Sequence, residues 1–289
     1  MGSGLLDIMR RSNNALRAFE TSLRIHTNNS ANLGTVGYKN LDYSFKTIFN
    51  DVLRDATSSN GNTGTTNPEQ VGSGVAISNI NLDFRQGDLG EGTQLDMAIS
   101  GQGLFMVSRD GGNHFLYTRA GEASVDTTGQ FLVDSSGRQI FGYKIVGGVP
   151  TGELTPIKTD GFTSDFLGWR AGGILVGNFD DGNASTPAPA GAETPLYQVA
   201  LADFQNTGGL QQEDGTAFVE TTASGSPVHI GVAGTSNLGE VVAQKIEKSN
   251  VFFIGETIKS IEVQRAISAS LSAIKTASDI ISSVIQRLS

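Results

Sequence analysis

The chain has 289 residues, 38% of them apolar and only 17% charged, which suits a folded protein with a modest core and excludes a wholly disordered polymer. A net charge of −9 argues against non-specific nucleic-acid binding, which needs a basic surface. The absence of cysteine excludes disulfides and thiolate metal sites, and no stretch is apolar for long enough to cross a bilayer as a helix, so no direct membrane insertion is expected.

The 37 Gly stand against 7 Pro, amid many Thr, Ser, Asn and Asp, a mixture that favours short strands joined by tight turns. Charge is uneven. Residues 1–40 hold five Lys/Arg and two Asp/Glu, and residues 240–289 hold six and five, so the acidity lies in the middle. A solvated body with two differently built ends is the simplest reading.

The first segment has a helical period. Leu5, Met9, Leu16, Phe19 and Leu23 follow a 4-3 spacing, with Ser12 and His26 completing the series, which is a heptad seam. It ends at NNSANLGTVGYK, Asn28 to Lys39, where Asn, Gly and Thr stop a helix. The start lacks the apolar run of a cleavable secretory signal, which by the general export routes would keep the protein in the cytoplasm. Residues 41–54 read as a short helix or an extended arm, and 56–70 (ATSSNGNTGTTNPEQ) as a polar, low-complexity loop. Residues 41–75 together are expected to link the first helix to the middle.

The period then changes to two. VGSGVAISNINLDF alternates as a strand does, and ASVDTTGQFLVDSSGRQIFGY holds two turn signals, DTTG and DSSG, in the outline of a β-meander. RAGGILVGNFDDGN, LYQVALADFQN and GTAFVETT continue the pattern, and 183–195 reads as a loop or a solvent-facing arm. Residues 76–239 are therefore expected to form one all-β domain.

From about Glu240 a helical period is expected again. Val251, Ile254, Ile258 and Ile261 form one stretch of stripe, and Ile267, Leu271, Ile274, Ser278, Ile281, Ile285 and Leu288 another, with a slip between them at Gln264. Beyond Ala266 the helix carries only Lys275, Asp279 and Arg287 as charges, and small residues such as Ser268, Ala269, Ser272, Ala273 and Ser282 lie on nearly every face. Small side chains allow close approach on several sides. Two heptad helices at opposite ends would pair, giving an α+β fold with a terminal helical domain (1–40 and 240–289). The faces left over would meet other copies, and a contact between unlike surfaces builds rings or open helices. An intramolecular coiled coil or a closed homo-oligomer would use the same residues.

Nothing nominates a catalytic, cofactor or metal site. His26, His114 and His229 have no ligand spacing, His26 fits a packing or registry role in the seam, and FDDGN (Asp180, Asp181, Asn183) reads as a turn. No enzyme activity and no cofactor are expected. A surface-layer or adhesin-like protein would account for the acidic β-domain but not for heptads at both ends.

ANLGTVGYK, with Ala31, Asn32, Thr35, Gly37, Tyr38 and Lys39, resembles the N-terminal signature of the bacterial flagellar axial proteins of rod and hook. Four further stretches fit that family in order: Leu95 to Tyr143, Leu196 to Gly225, KIEKSNV (with Ser249, Asn250 and Val251), and IKSIEVQRA (with Gln264, Arg265 and Ala266). Departures are Gln244 and Ile246, where Gly and Leu are usual, and Ala123 in place of a common Phe. The resemblance implies a structural subunit stacked with copies of itself in a helical tube, helices inside and β-domain outside. It also implies export through the flagellar secretion apparatus without a cleavable signal, and contact with adjacent rod and hook proteins in the basal body or extracellular hook. The long stretch 40–70 is similar to the distal rod protein, whereas VAISNINLDFRQGDL and PLYQVALADF look equally like the hook.

Overall fold

The computed structural model describes residues 2–48, 50–54, 67, 69–72, 74–180 and 191–288. Most of the polar stretch 56–70, Asp181, Asn183 and the first part of the loop 183–195 lie outside these residues. The chain is α+β and divides into two units, Met1–Ala31 with Leu41–Asn81 and Phe252–Ser289, and Asn32–Asn40 with Leu82–Val251.

The first unit holds both helices. Helix α1 spans Gly2–Ala31 and α2 spans Phe253–Leu288. Glu256 in the first turn of α2 and Arg287 in its last complement the helix dipole. Residues 41–54, open between helix and arm from sequence, are strands: β1 (Asn40–Thr47) and β2 (Asn50–Arg54). β2 pairs with β3 (Glu69–Gly72), and β1 with β4 (Val75–Asp83). The stretch expected to link is thus part of the helical unit.

The second unit is built of short strands. In chain order they are β5 (Leu89–Glu91), β6 (Met97–Ser100), β7 (Leu104–Ser108), β8 (Leu116–Thr118), β9 (Ala123–Val125) and β10 (Leu132–Asp134). Then come β11 (Gln139–Val146), β12 (Val149–Pro156), β13 (Leu167–Arg170), β14 (Ile174–Gly177) and β15 (Thr194–Asp203). The last are β16 (Gln211–Asp214), β17 (Ala217–Val219), β18 (His229–Val232), β19 (Glu240–Ala243) and β20 (Lys245–Glu247). The main path of the large sheet runs β13-β14-β15-β11-β7-β8-β17-β16.

Alternation fixes the core. In β7, Phe105 and Val107 face one cluster with Ile99, Leu132, Ile140 and Trp169, while Leu104 and Met106 face another with Tyr117, Phe141, Phe204 and Phe218. The strand is buried on both faces, which is why its run LFMVS is apolar rather than alternating. The turn signals do what their residues allow. Asp126 Oδ1 accepts the amides of Gln130 and Phe131, Gly129 takes φ 71°, and the hairpin pairs Val125 with Leu132. Asp134 and Gly137 repeat the device in DSSG.

One expectation fails at the C-terminal end. The helix does not start near Glu240, because Val241 pairs with Ile99 and Ile246 with Gly90, drawing residues 240–247 into the β unit. Val251 is buried there too, ahead of α2.

Candidate assembly interface

In the helical unit, α1 and α2 touch with the end of α1 against the start of α2, and buried positions recur along both helices from that point, so they run antiparallel. On α2 the inward line is Glu256, Ser260, Val263, Ile267, Ser270, Ile274, Ala277 and Ile281, an unbroken 4-3 spacing. The apolar stripe changes face near Gln264, from Ile254, Ile258 and Ile261 off the line to Ile267, Ile274 and Ile281 on it, while the helix runs on unbroken; Gln264 and Arg265 are exposed and Ala266 is half-buried. On α1 the fully buried residues are Ala18, Ser22, Ile25, His26 and Asn29. Leu5, Met9, Leu16, Phe19 and Leu23 flank them, half-buried.

The inward line is therefore not the apolar stripe the sequence displays. Ile254, Ile258, Ile261, Leu271 and Ile285 are exposed, between 44% and 61%. Ile267, Ile274 and Ile281 stay half-buried on the line, and Leu288 lies at the last described turn, its side chain outside the described ones. The reason is that Glu256 and Ser260 occupy the seam, which turns Ile254, Ile258 and Ile261 to the opposite face. Ser268, Ser270, Ser272 and Thr276 bond the carbonyl four residues back, at 2.9–3.0 Å. Their hydroxyls are satisfied within the helix, leaving a smooth surface another helix can approach.

The polar end of the seam is fully connected. Asn29 Nδ2 donates to Glu256 Oε2 at 3.1 Å and to the carbonyl of Leu41 at 2.9 Å, and Asn29 Oδ1 accepts the Leu41 amide. His26 Nδ1 lies 2.7 Å from Glu256 Oε2 and Nε2 lies 2.9 Å from the Tyr43 hydroxyl, whose oxygen accepts a bond from the Ser22 hydroxyl. These partners assign the proton to Nδ1, with Tyr43 donating to Nε2. Burial would raise the Glu256 carboxyl, but the bonds from His26 and Asn29 prevail and hold it below the ordinary range. A buried polar group of this kind sets register where apolar residues alone would slide.

The family-motif residues gather in the β unit. Gly37 donates its amide to the Glu247 carbonyl at 2.8 Å and needs φ 70°, and a Cβ there would lie 2.3 Å from the Ala120 amide nitrogen. Tyr38 is buried, and Lys39 Nζ meets Glu247 Oε1 at 2.6 Å and the Arg85 carbonyl at 2.9 Å. Arg119 Nη1 reaches Glu247 Oε2 at 3.2 Å. Burial lowers both the Lys39 ammonium and the Arg119 guanidinium, against the pull of Glu247. Asn250 Oδ1 accepts the Asn40 amide, its Nδ2 donates to the carbonyls of Asp83 and Arg85, and Ser249 Oγ accepts the Val251 amide. Asn32 and Thr35 form the turn that follows Ala31, the last residue of α1. The motif thus splices both ends of the chain into one charged, buried junction. Gln264, Arg265 and Ala266 take no part in it, since they sit on α2.

Sequence reasoning missed Glu247, Arg119, Asn29, Tyr43 and Glu256. A partial signal existed for Glu256, which lies one heptad before Val263, but nothing local links Lys39 to a carboxylate 208 residues away.

Two family models match. One describes the flagellar hook protein FlgE/F/G D1 domain and covers residues 98–161; the other describes the flagellar basal body rod FlgEFG protein C-terminal and covers 242–287. Among curated proteins, the flagellar basal-body rod protein FlgG of Agrobacterium fabrum is 31% identical, across 94% of this chain and 95% of its own. FlgG of Bacillus subtilis is 26% identical over 93% and 94%. The flagellar hook protein FlgE of Treponema pallidum is 32% identical, but over only 43% of this chain and 27% of its own length. The rod proteins match from end to end and the hook protein in part. The chain belongs to the family of the flagellar basal-body rod protein FlgG.

Proposed function

We propose that this protein is a structural subunit of the flagellar rod that polymerises helically with copies of itself to transmit torque. The reading rests on the end-to-end likeness to rod proteins together with one observation: α2 carries a seam toward α1 and, on other faces, Ile254, Ile258, Ile261, Leu271 and Ile285 left open to solvent. Each such side chain stands to gain on the order of 1 kcal/mol on completing its burial, and neighbouring copies would supply that cover.

In this reading α1 and α2 form a coiled coil through the 4-3 line, and the assembly interface comprises the flank of α1 (Leu5, Met9, Leu16, Phe19, Leu23) and the outer faces of α2. Adjacent rod and hook proteins meet the ends of the stack. The subunit leaves the cell through the flagellar export apparatus and works in the basal body, as a structural element without catalytic chemistry.

The test is deletion of residues 274–289. The β unit should keep its fold, reported by Trp169, the single tryptophan, buried and bonded to the Leu95 carbonyl at 2.7 Å. Electron micrographs should show tubes for the full chain and none for the deletion. Ile285→Asp, on an outer face of α2, should behave like the deletion, since it places a charge where a neighbouring copy would bury it. Tubes from either variant would overturn the assignment of α2 to subunit contacts.

A further inference from the structure

We infer that the β unit carries a second, head-to-tail contact of its own: the tip of the β11–β12 hairpin of one copy seats in a hollow beside β19 of the next. The inference rests on the reading that copies of this chain assemble, and adds a named pair of surfaces to it.

Val146 and Val149 are 62% and 66% exposed, the largest values among the exposed large apolar residues of this unit. They pair directly across the hairpin, so their side chains share a face. Gly147 and Gly148, at φ 63° and 85°, close a two-residue turn that holds the pair on a short, fixed tip. Hairpin tips normally carry polar residues, so an apolar pair there is a feature to be explained.

The same unit has a hollow of about 620 Å³ lined by Ala171, Gly172, Ala233, Gly234, Val241 and Ala243. None of these side chains is larger than valine, so the space is apolar and open to a side chain of valine size. Exposed Glu240 also lines the hollow, and Lys144, two residues before the tip, is held by Asp160 of its own chain at 3.2 Å, so the match between tip and hollow is one of apolar surface and size.

Register separates tip and hollow along β15, the tip at its Thr194 end and the hollow at its middle. Lys144 pairs with Tyr197, so the hairpin continues past it toward Thr194. The β13–β14 turn lies on the other side, because Ile174 pairs with Gln198 and the Val199 amide donates to the Gly173 carbonyl. Val232 pairs with Ala200, which brings Ala233 to the same level. Four to five residues of strand separate the two levels, roughly 15 Å, and the two hairpin turns point in opposite directions. With the knob of each copy in one neighbour and its hollow filled by another, the contact is heterologous, and it builds a ring or an open helical stack.

Because the chain has no cysteine, an introduced pair reports the contact without ambiguity. Full-length V149C/A171C, oxidised at a concentration where the wild type assembles, should give a ladder of linked species beyond dimers. V149C alone should give dimers at most, and adding V146D to the pair should remove the ladder. V146D/V149D, with Trp169 fluorescence unchanged, should raise the concentration needed for pelletable tubes at least tenfold, the loss of about one buried valine per copy. Wild-type tubes with no ladder would overturn this contact and leave the rod reading standing. A ladder without wild-type tubes under any condition would sink the rod reading and leave the contact. Neither tubes nor ladder would overturn both.

Discussion

The two units of this chain solve burial in opposite ways. In β7 every residue from Leu104 to Val107 is 2% exposed or less, and the strand feeds a separate apolar cluster on each face. In α2 the inward line mixes Glu256, Ser260 and Ser270 with Val263 and Ile267, while isoleucines stand outside. The β unit completes its core from its own strands. The helical unit mixes polar and apolar residues on its inward face and leaves a further set of isoleucines exposed on others. On the proposed reading the helices would be marginal in a single chain and ordered by neighbouring copies, since isolated helices gain most of their stability from packing an apolar face.

The comparison can be broken first at the charged junction. Glu247→Leu would leave Lys39 and Arg119 as buried cations without their carboxylate, at a cost of about 3–5 kcal/mol. Urea unfolding followed by Trp169 should show it as a lower midpoint. An unchanged midpoint would mean that the junction does not stabilise the β unit. Next, Gly37→Ala strains a positive φ and drives a Cβ into the Ala120 backbone, at a cost of roughly 1–3 kcal/mol in the same assay.

A smaller effect should come from pH. The Glu256 carboxyl is held below its ordinary 4.5 in the folded state. Its contribution is therefore complete above about pH 4.5 and is lost as the pH falls through the lower folded value. Light scattering of assembled protein should show a loss of assembly on acidification that is blunted in Glu256→Gln. Identical acid profiles would remove Glu256 from the account. Smallest for the single chain is Ile258→Ser, expected to change its stability by less than about 0.5 kcal/mol while raising the concentration at which tubes form. If monomer stability drops instead, Ile258 packs within the chain.

Periodicity made much of this legible. The 4-3 spacing at both ends and the DTTG and DSSG turns correspond to α1, α2 and the β9–β10 and β10–β11 connections. Phase was harder to read. A helix with more than one apolar stripe does not announce which stripe faces its own chain, and here the inward line is the less apolar one. His26 reads as a gap in the seam, Asn29 as part of the helix stop, and Ser22 lies off the stripe, yet these three are the most buried residues of α1. The strands at 240–247 were hidden for a related reason: their pairing partners, β5 and β6, lie about 150 residues upstream.

Hydrogen exchange on the dilute, unassembled chain tests the central claim most directly. Amides of residues 2–31 and 253–288 should exchange through openings of roughly 0–2 kcal/mol, while those of β7 and β15 should approach the global unfolding limit. Helix amides protected as strongly as β7 in a solitary chain would contradict it.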